Sequence, residues 1–432
     1  MRKILTAIVL SGIIALSPGI HSSYASEVDA LLQKLIDKGI LTAPEAQQIR
    51  TETNEEIAKT EKQKLEDYKQ TTKDNLPDWV KNTKLTGDFR LRYQYDKDKG
   101  QVDQSRARIR ARLGVISQIN DKLEMGVGIA TGKSSDPRTR NVTLGTDAAV
   151  TNTPGSAKTI LLDYAYAKYT PVNGVSIIGG KYINPLWQPH DMFWDPNITP
   201  EGAALTLKHD LNSRLQLFMN NMFYWLTNDA RTDTKWPVMF VFQPGATFKI
   251  NNTTNLKGAL AYYKFDALKN RPKFANSAGT NTFINGNYAY NYDSVQPSVE
   301  LSFKEPFHGL LPFASIFGDY MYNTSLPSNA TGAGAFDVGI KFGNESVSDA
   351  RQWQARLVYS KLGRDAWLDN ITNVDRYYPG RTNSKDYEAI LDYGLGKNTW
   401  LRLRYYYAES LSKVNDTYTP ENTLQLDWNM KF

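Results

Sequence analysis

The sequence predicts an all-β transmembrane barrel of about 16 antiparallel strands, with a short α-helical segment ahead of it. Three observations carry this expectation. From Lys84 onward, apolar and polar residues alternate with the two-residue period of a strand, so each stretch has one apolar face and one polar face. The segments joining these stretches alternate between long and short, as the two ends of a membrane barrel do. No stretch approaches 18 continuous apolar residues, which excludes a helical span, and a mean hydropathy of −0.49 suits strands that are half polar.

The N-terminus opens with Arg2 and Lys3, followed by an apolar run from Ile4 to Leu16 and the small-residue pattern Ser23-Tyr24-Ala25. This reads as a signal peptide, residues 1–25, with cleavage expected after Ala25. Formal charge is +6 for the whole chain and falls to +4 once Arg2 and Lys3 are subtracted. So mild a surplus makes no case for nucleic acid. The chain has no Cys, which rules out disulfides and thiolate metal sites.

Residues 26–82 carry a different period. Val28, Leu31, Leu32, Leu35 and Ile36 recur at helical spacing, and Gly39 stands where a helix would stop. Thr42-Ala43-Pro44-Glu45 forms a capping box with proline in the first turn of a second helix. Its continuation, Glu52 to Lys73, is charged and nearly free of apolar residues, which predicts a solvated or coiled-coil-like stalk on the periplasmic side.

The barrel is expected over residues 83–432. In the first strand Leu85, Gly87, Phe89, Leu91 and Tyr93 oppose Thr86, Asp88, Arg90, Arg92 and Gln94. In the second, Ala107, Ile109, Ala111, Leu113 and Val115 oppose Arg106, Arg108, Arg110 and Arg112. Similar alternation marks 123–129, 353–359, 387–393 and 401–407, whereas 174–182 and 236–249 are weakly patterned, the latter interrupted by Pro237 and Pro244. The last strand places Leu424, Leu426, Trp428, Met430 and Phe432 on one face and Gln425, Asp427, Asn429 and Lys431 on the other. Between strands, long segments at 96–104, 132–158, 183–200, 226–235, 267–293, 323–334, 363–384 and 411–419 alternate with shorter turns such as 120–121, 171–174 and 396–398.

Polar positions on a barrel strand face the lumen. Arg90, Arg92, Arg106, Arg108, Arg110, Arg112, Arg402 and Arg404 therefore fall on one inner wall once the first strand closes against the last. Guanidinium stays charged, and a row of charges is how a pore selects ions by sign. The same arginines could instead solvate the inner face or pair with Asp88, Glu124, Glu388 and Asp392, a role compatible with selectivity. Catalysis has little to work with. Beyond residue 25 only His190, His209 and His308 remain, and there is no Gly-x-Ser-x-Gly, His-Glu-x-x-His or phosphate-cradling glycine loop. No enzyme, metal or cofactor is expected.

By this architecture the chain resembles the bacterial outer-membrane porins, and its helical segment suggests the group catalogued as putative porins. The resemblance covers essentially all of the chain after the signal peptide. It implies a water-filled channel for passive diffusion of small hydrophilic solutes, anion-biased by the arginine wall, embedded in outer-membrane lipid and assembled as a homotrimer. It implies that Phe432, a terminal aromatic, is read by the barrel-assembly machinery. It also implies that the third long loop folds inward and narrows the channel, with Trp187, His190, Asp191, Asp195 and Glu201 as its constriction residues. Two other readings stay open. One is a channel specific for an anionic or sugar-like solute, with Tyr182, Tyr263 and Tyr406 as an aromatic row. The other is a non-conducting barrel acting as adhesin or envelope tether, with cell-wall contact through its helical segment.

Overall fold

A computed structural model describes residues 22–74, 77–98, 101–145, 155–227, 235–412 and 420–432. The expected signal peptide lies outside the described residues over positions 1–21, as do parts of the long loops at 146–154, 228–234 and 413–419. The chain divides into two compact units, Met1–Lys81 and Asn82–Phe432.

In the first unit, α1 runs from Ser22 to Asp37 and α2 from Ala43 to Asp74. Gly39, at φ +69°, ends α1, and the Gly39 and Ile40 N–H groups donate to the Ile36 and Leu35 carbonyls. This is the Schellman pattern, which satisfies carbonyls the helix itself leaves open. The α2 start is a capping box, with the Thr42 N–H donating to Glu45 Oε2 at 2.9 Å. Leu32 and Ala46 are buried between the two helices, while most described side chains further along α2 are exposed. Among the described residues, no helix is long and apolar enough to cross a membrane.

The second unit is a closed antiparallel sheet. Its strands are β1 (Thr83–Asp98), β2 (Gln104–Asn120), β3 (Leu123–Thr131), β4 (Ile160–Val172), β5 (Val175–Lys181) and β6 (Glu201–Asp210). Next come β7 (Leu215–Trp225), β8 (Val238–Lys249), β9 (Thr254–Asp266), β10 (Ser294–Lys304) and β11 (Phe313–Asn323). The circuit ends with β12 (Gly334–Gly343), β13 (Trp353–Leu362), β14 (Ser384–Gly396), β15 (Thr399–Ser410) and β16 (Glu421–Lys431). The two-residue strand Val142–Thr143 is a loop segment added to β2, so the 17-stranded sheet is a 16-stranded barrel plus this addition. Closure is antiparallel between β1 and β16, running from Asp88↔Lys431 to Asp98↔Glu421. The even count and all-next-neighbour pairing belong to bacterial outer-membrane barrels.

Side-chain alternation follows the pleat. On β16, Leu424, Leu426 and Trp428 stand exposed on the outer wall, while Thr423, Gln425 and Asp427 are buried inside. Both weakly patterned stretches are strands after all. Within β8, Pro244 pairs with Met219 of β7, but the ladder to β9 is interrupted between Gly245 and Phe242, where proline offers no N–H. The loop parity holds with one correction. Since β1 and β2 extend to Asp98 and back from Gln104, the first long loop shrinks to 99–103 and is shorter than the turns 305–312 and 344–352.

The largest apolar cluster lies inside the barrel, not between sheets. It joins Met192, Phe193, Trp194 and Ile198 to Trp367, Leu368 and Ile371, against wall residues such as Tyr263, Phe265 and Met321. Segments of four connections supply the polar and apolar filling: 132–145, 182–200, 267–293 and 363–383.

Candidate functional site: an arginine seam facing inward-folded loops

Barrel closure assembles residues from both ends of the chain. Register sets Arg402, Asp427, Arg92 and Arg108 in one inner row across β15, β16, β1 and β2. One step along, Arg404, Gln425, Gln94 and Arg106 form the next row, and Asn429, Arg90 and Arg110 another. Asp88 and Arg112 form a further row, so the structure brings all eight arginines to one seam.

Most of them have carboxylate partners. Arg92 reaches Asp427 at 2.6 Å and Asp375 at 2.7 Å, and Arg90 reaches Asp427 at 3.4 Å. Arg110 and Arg112 share Asp88, and Arg112 also meets Asp163. Arg106 pairs with Asp96, Arg402 with Asp392 and Arg404 with Glu388. Of the four partners expected from sequence, Asp88, Glu388 and Asp392 hold arginines. Glu124 instead lies 3.9 Å from Lys168 and accepts from the Tyr166 hydroxyl at 2.9 Å. Arg108 differs from its neighbours: it donates to Gln94 Oε1 at 2.9 Å and Thr139 Oγ1 at 3.5 Å, with no carboxylate within ion-pair reach among the described residues. The seven carboxylates are not all free to balance the seam, because Asp163 also holds Arg140 and Glu388 also holds His190.

The third long loop, 182–200, enters the barrel. His190 bridges one stretch of wall, with Nδ1 3.0 Å from Asp337 of β12 and Nε2 2.8 Å from Glu388 of β14, and its ring stacks on Phe317 at 6.0 Å. Burial by itself would push His190 down, but the two carboxylates outweigh it and hold the imidazolium up at about 10. This loop residue is therefore a cation at neutral pH. Trp187 donates its backbone N–H to Gln243 at 2.8 Å, and its ring takes Lys257 Nζ at 4.7 Å. Asp191 lies 3.4 Å from His190.

Two of the expected constriction residues act elsewhere. Asp195 is buried and accepts the backbone N–H groups of Asn197 at 2.8 Å and Val374 at 2.9 Å, so it staples two loops and does not face the arginines. Glu201 is the first residue of β6, on the odd-numbered outer face, where its exposed side chain pairs with Lys181 at 2.8 Å. Strand alternation carries it away from the lumen.

The loop 363–383 is the larger surprise. Trp367 is fully buried and donates Nε1–H to the Phe193 carbonyl at 2.6 Å, with Tyr263 at 4.7 Å between ring centres. Asp369 accepts from Ser277 Oγ and from the Thr280 N–H, which ties in loop 267–293. Arg138 donates to the Asp369 and Asn276 carbonyls, which ties in loop 132–159. Trp367, Leu368, Ile371 and Val374 were the available sequence signal, since so many apolar residues have no place in a solvated loop. Asp427 was visible on the polar face of the last strand, whereas Asp375 and Arg138 lie where no period assigns a direction. Tyr182, Tyr263 and Tyr406 all point inward but are packed to 3% exposure or less, so they form no open aromatic row.

His190, Asp191 and Glu388 are the one grouping with metal-like spacing among the described residues, their ligand atoms within 4.8 Å. Both His190 nitrogens already face carboxylates, so a bound cation would have to displace the ring proton that those carboxylates hold. His209 sits at the exposed end of β6 and His308 in a turn.

A family profile described as putative porin matches residues 43–101, 97–302 and 283–432. No curated protein matches the sequence. The fold is similar to OprB of Pseudomonas putida in its high-pH structure, at 13% identity, covering 82% of this chain and 95% of that one with a TM-score of 0.50. A triple mutant of Rhodopseudomonas blastica porin aligns at 12% identity over 81% of this chain and 100% of that one, with a TM-score of 0.42.

Proposed function

Because the chain belongs to the family described as putative porin, matched over residues 43 to 432, we propose that its outer-membrane barrel is a passive-diffusion channel biased toward anions by the arginine seam. The observation that carries the bias is Arg108. It is an inward cation beside Arg92 and Arg106 with no carboxylate within ion-pair reach among the described residues, so its field on an anion in the lumen is the least offset of the seam. Loop 182–200 is the constriction, with His190 holding it against the wall of β12 to β14. The remaining assignments follow the same reading. Residues 1–25 are the signal peptide, 26–82 a periplasmic helical segment and 83–432 the barrel. Phe432 is the assembly signal, and the chain works as a homotrimer in outer-membrane lipid without cofactor or catalysis.

The test is single-channel recording of purified protein in a planar bilayer under a salt gradient. Wild type is expected to show discrete steps and a reversal potential of anion-selective sign. Arg108→Glu with Arg110→Glu shifts that potential toward cations while the barrel stays folded, since lumen substitutions tune selectivity more than stability. An unchanged reversal potential removes the seam from the selectivity argument.

A second reading has its own support. Gln425 is fully buried between Arg404 and Gln94, and neither atom of its amide has a partner among the described residues. A solute that enters between Arg404 and Gln94 would meet an amide without another partner, which suits one anionic or sugar-like molecule. Saturable flux for one solute, lost in Gln425→Leu, separates this reading from a general diffusion channel.

A further inference from the structure

The outer wall over β12 to β15 carries an arrangement the channel does not use. Leu357, Tyr359 and Lys361 point outward along β13, and Lys385, Tyr387 and Ala389 along β14. Register sets Lys361 directly beside Lys385, Tyr359 beside Tyr387, and Leu357 beside Ala389. Like charges directly opposite one another destabilise a strand pair. Lys385 is relieved by Glu409 at 2.5 Å. Lys361 is exposed and has no ion-pair partner among the described residues, and the same holds for Arg364, three residues on.

Lys361 and Arg364 line one cavity of about 680 Å³ at the long-loop rim, together with the polar side chains of Asn329, Thr331, Asn383 and Ser412. Directly along the wall is a second, apolar crevice of about 440 Å³ between Val338, Ile340, Leu357, Tyr359, Tyr387 and Tyr405. A strand rises roughly 3.4 Å per residue, so Lys361 stands about 7 Å beyond Tyr359. The Tyr359 and Tyr387 rings pack at 5.0 Å between centres at the join. Ala389, the smallest outward side chain here, leaves the crevice open.

We propose that this wall binds one acylated lipid with a phosphorylated head group. The phosphate takes Lys361 and Arg364, and one acyl chain lies in the crevice beneath the tyrosines. The phosphate gives Lys361 the counter-charge that Lys385 already takes from Glu409. A free anion in solution would have no use for an apolar crevice beside the cationic pocket, and a chain-only ligand none for the cations. The proposal rests on the outer-membrane reading, which places the long-loop rim at the outer leaflet.

The test is native mass spectrometry of the purified full-length protein in detergent. Three probes are added: a phosphorylated, acylated glucosamine lipid, its dephosphorylated counterpart, and inorganic phosphate. Wild type is expected to take one phosphorylated lipid, at least tenfold more tightly than the dephosphorylated form, and to ignore inorganic phosphate. Lys361→Glu with Arg364→Glu loses the adduct, Lys361→Gln weakens it, and Ala389→Trp, which fills the crevice, weakens it without changing charge. Equal binding of the dephosphorylated lipid, or adducts undiminished in the charge variants, overturns the proposal. Binding of inorganic phosphate that displaces the lipid assigns the pocket to free anions and also overturns it. Channel conductance recorded on the same preparations separates the two readings. Conducting protein without a lipid adduct defeats only this site, and inserted, lipid-bearing but silent protein defeats only the channel.

Discussion

At the scale of single residues, His190 shows what a buried cation does for a loop. Its raised position near 10 means the folded protein holds this proton more tightly than the unfolded chain, for which about 6.5 applies. The stabilisation is therefore complete below about pH 6.5, declines above it, and is gone once pH passes about 10. His190→Gln keeps hydrogen bonding but not the charge. The difference in thermal midpoint between wild type and this variant should be largest at pH 6 and close to zero above pH 10, and a constant difference would refute the charged bridge. Truncation to alanine should cost about 3–5 kcal/mol, since Asp337 would be left buried without its cation, while Glu388 keeps Arg404. The arginine row could be read from sequence because a period of two states which side each residue takes. Its partner Asp375 could not, because a loop has no period.

Among the elements, the inward loops behave as core. Trp367 fills the space between Phe193, Tyr263 and Phe265, and Asp369 fastens loop 363–383 to loop 267–293. Trp367→Ala should cost about 3–5 kcal/mol through the cavity it leaves. Asp369→Ala strands the Thr280 N–H and the Ser277 hydroxyl. Both are expected to raise single-channel conductance or its open-state noise as the filling loosens. Unaltered conductance in a folded Trp367→Ala protein would show that the current passes elsewhere. The strands were legible because pleat and hydropathy agree. The loops were half legible, since length alternation gave their place and only the apolar run around Trp367 hinted that 363–383 turns inward. Glu201 went astray because it was assigned by loop membership, whereas strand alternation begins at that very residue.

For the molecule as a whole, the joint between β1 and β16 decides whether there is a barrel. Gly87 and Phe432 exchange backbone hydrogen bonds, each at 3.1 Å, as the final rung of the β1–β16 ladder. A Cβ on Gly87 would come 2.4 Å from the Phe432 ring and 2.6 Å from the Arg112 carbonyl. Gly87→Val should therefore hinder closure, seen as a loss of the heat-modifiable compact band on unboiled gels. The same band at wild-type yield would show that the rung can shift to make room. Closure also seats Asp427 between Arg90 and Arg92. A two-residue slip would keep every face correct yet break that pairing, so charge fixes the register that hydropathy leaves open.

The packing of loops inside the barrel has a consequence for how this lineage can change. Connections ordinarily drift fastest because little leans on them. Here Phe193, Trp194, Trp367 and Asp369 are held as tightly as any strand residue. Selection should tolerate insertions in 99–103 and 324–333 while keeping 182–200 and 363–383 nearly fixed in length. Among close relatives, natural variation should sort by whether a connection is pinned within the wall and not by whether it is a loop.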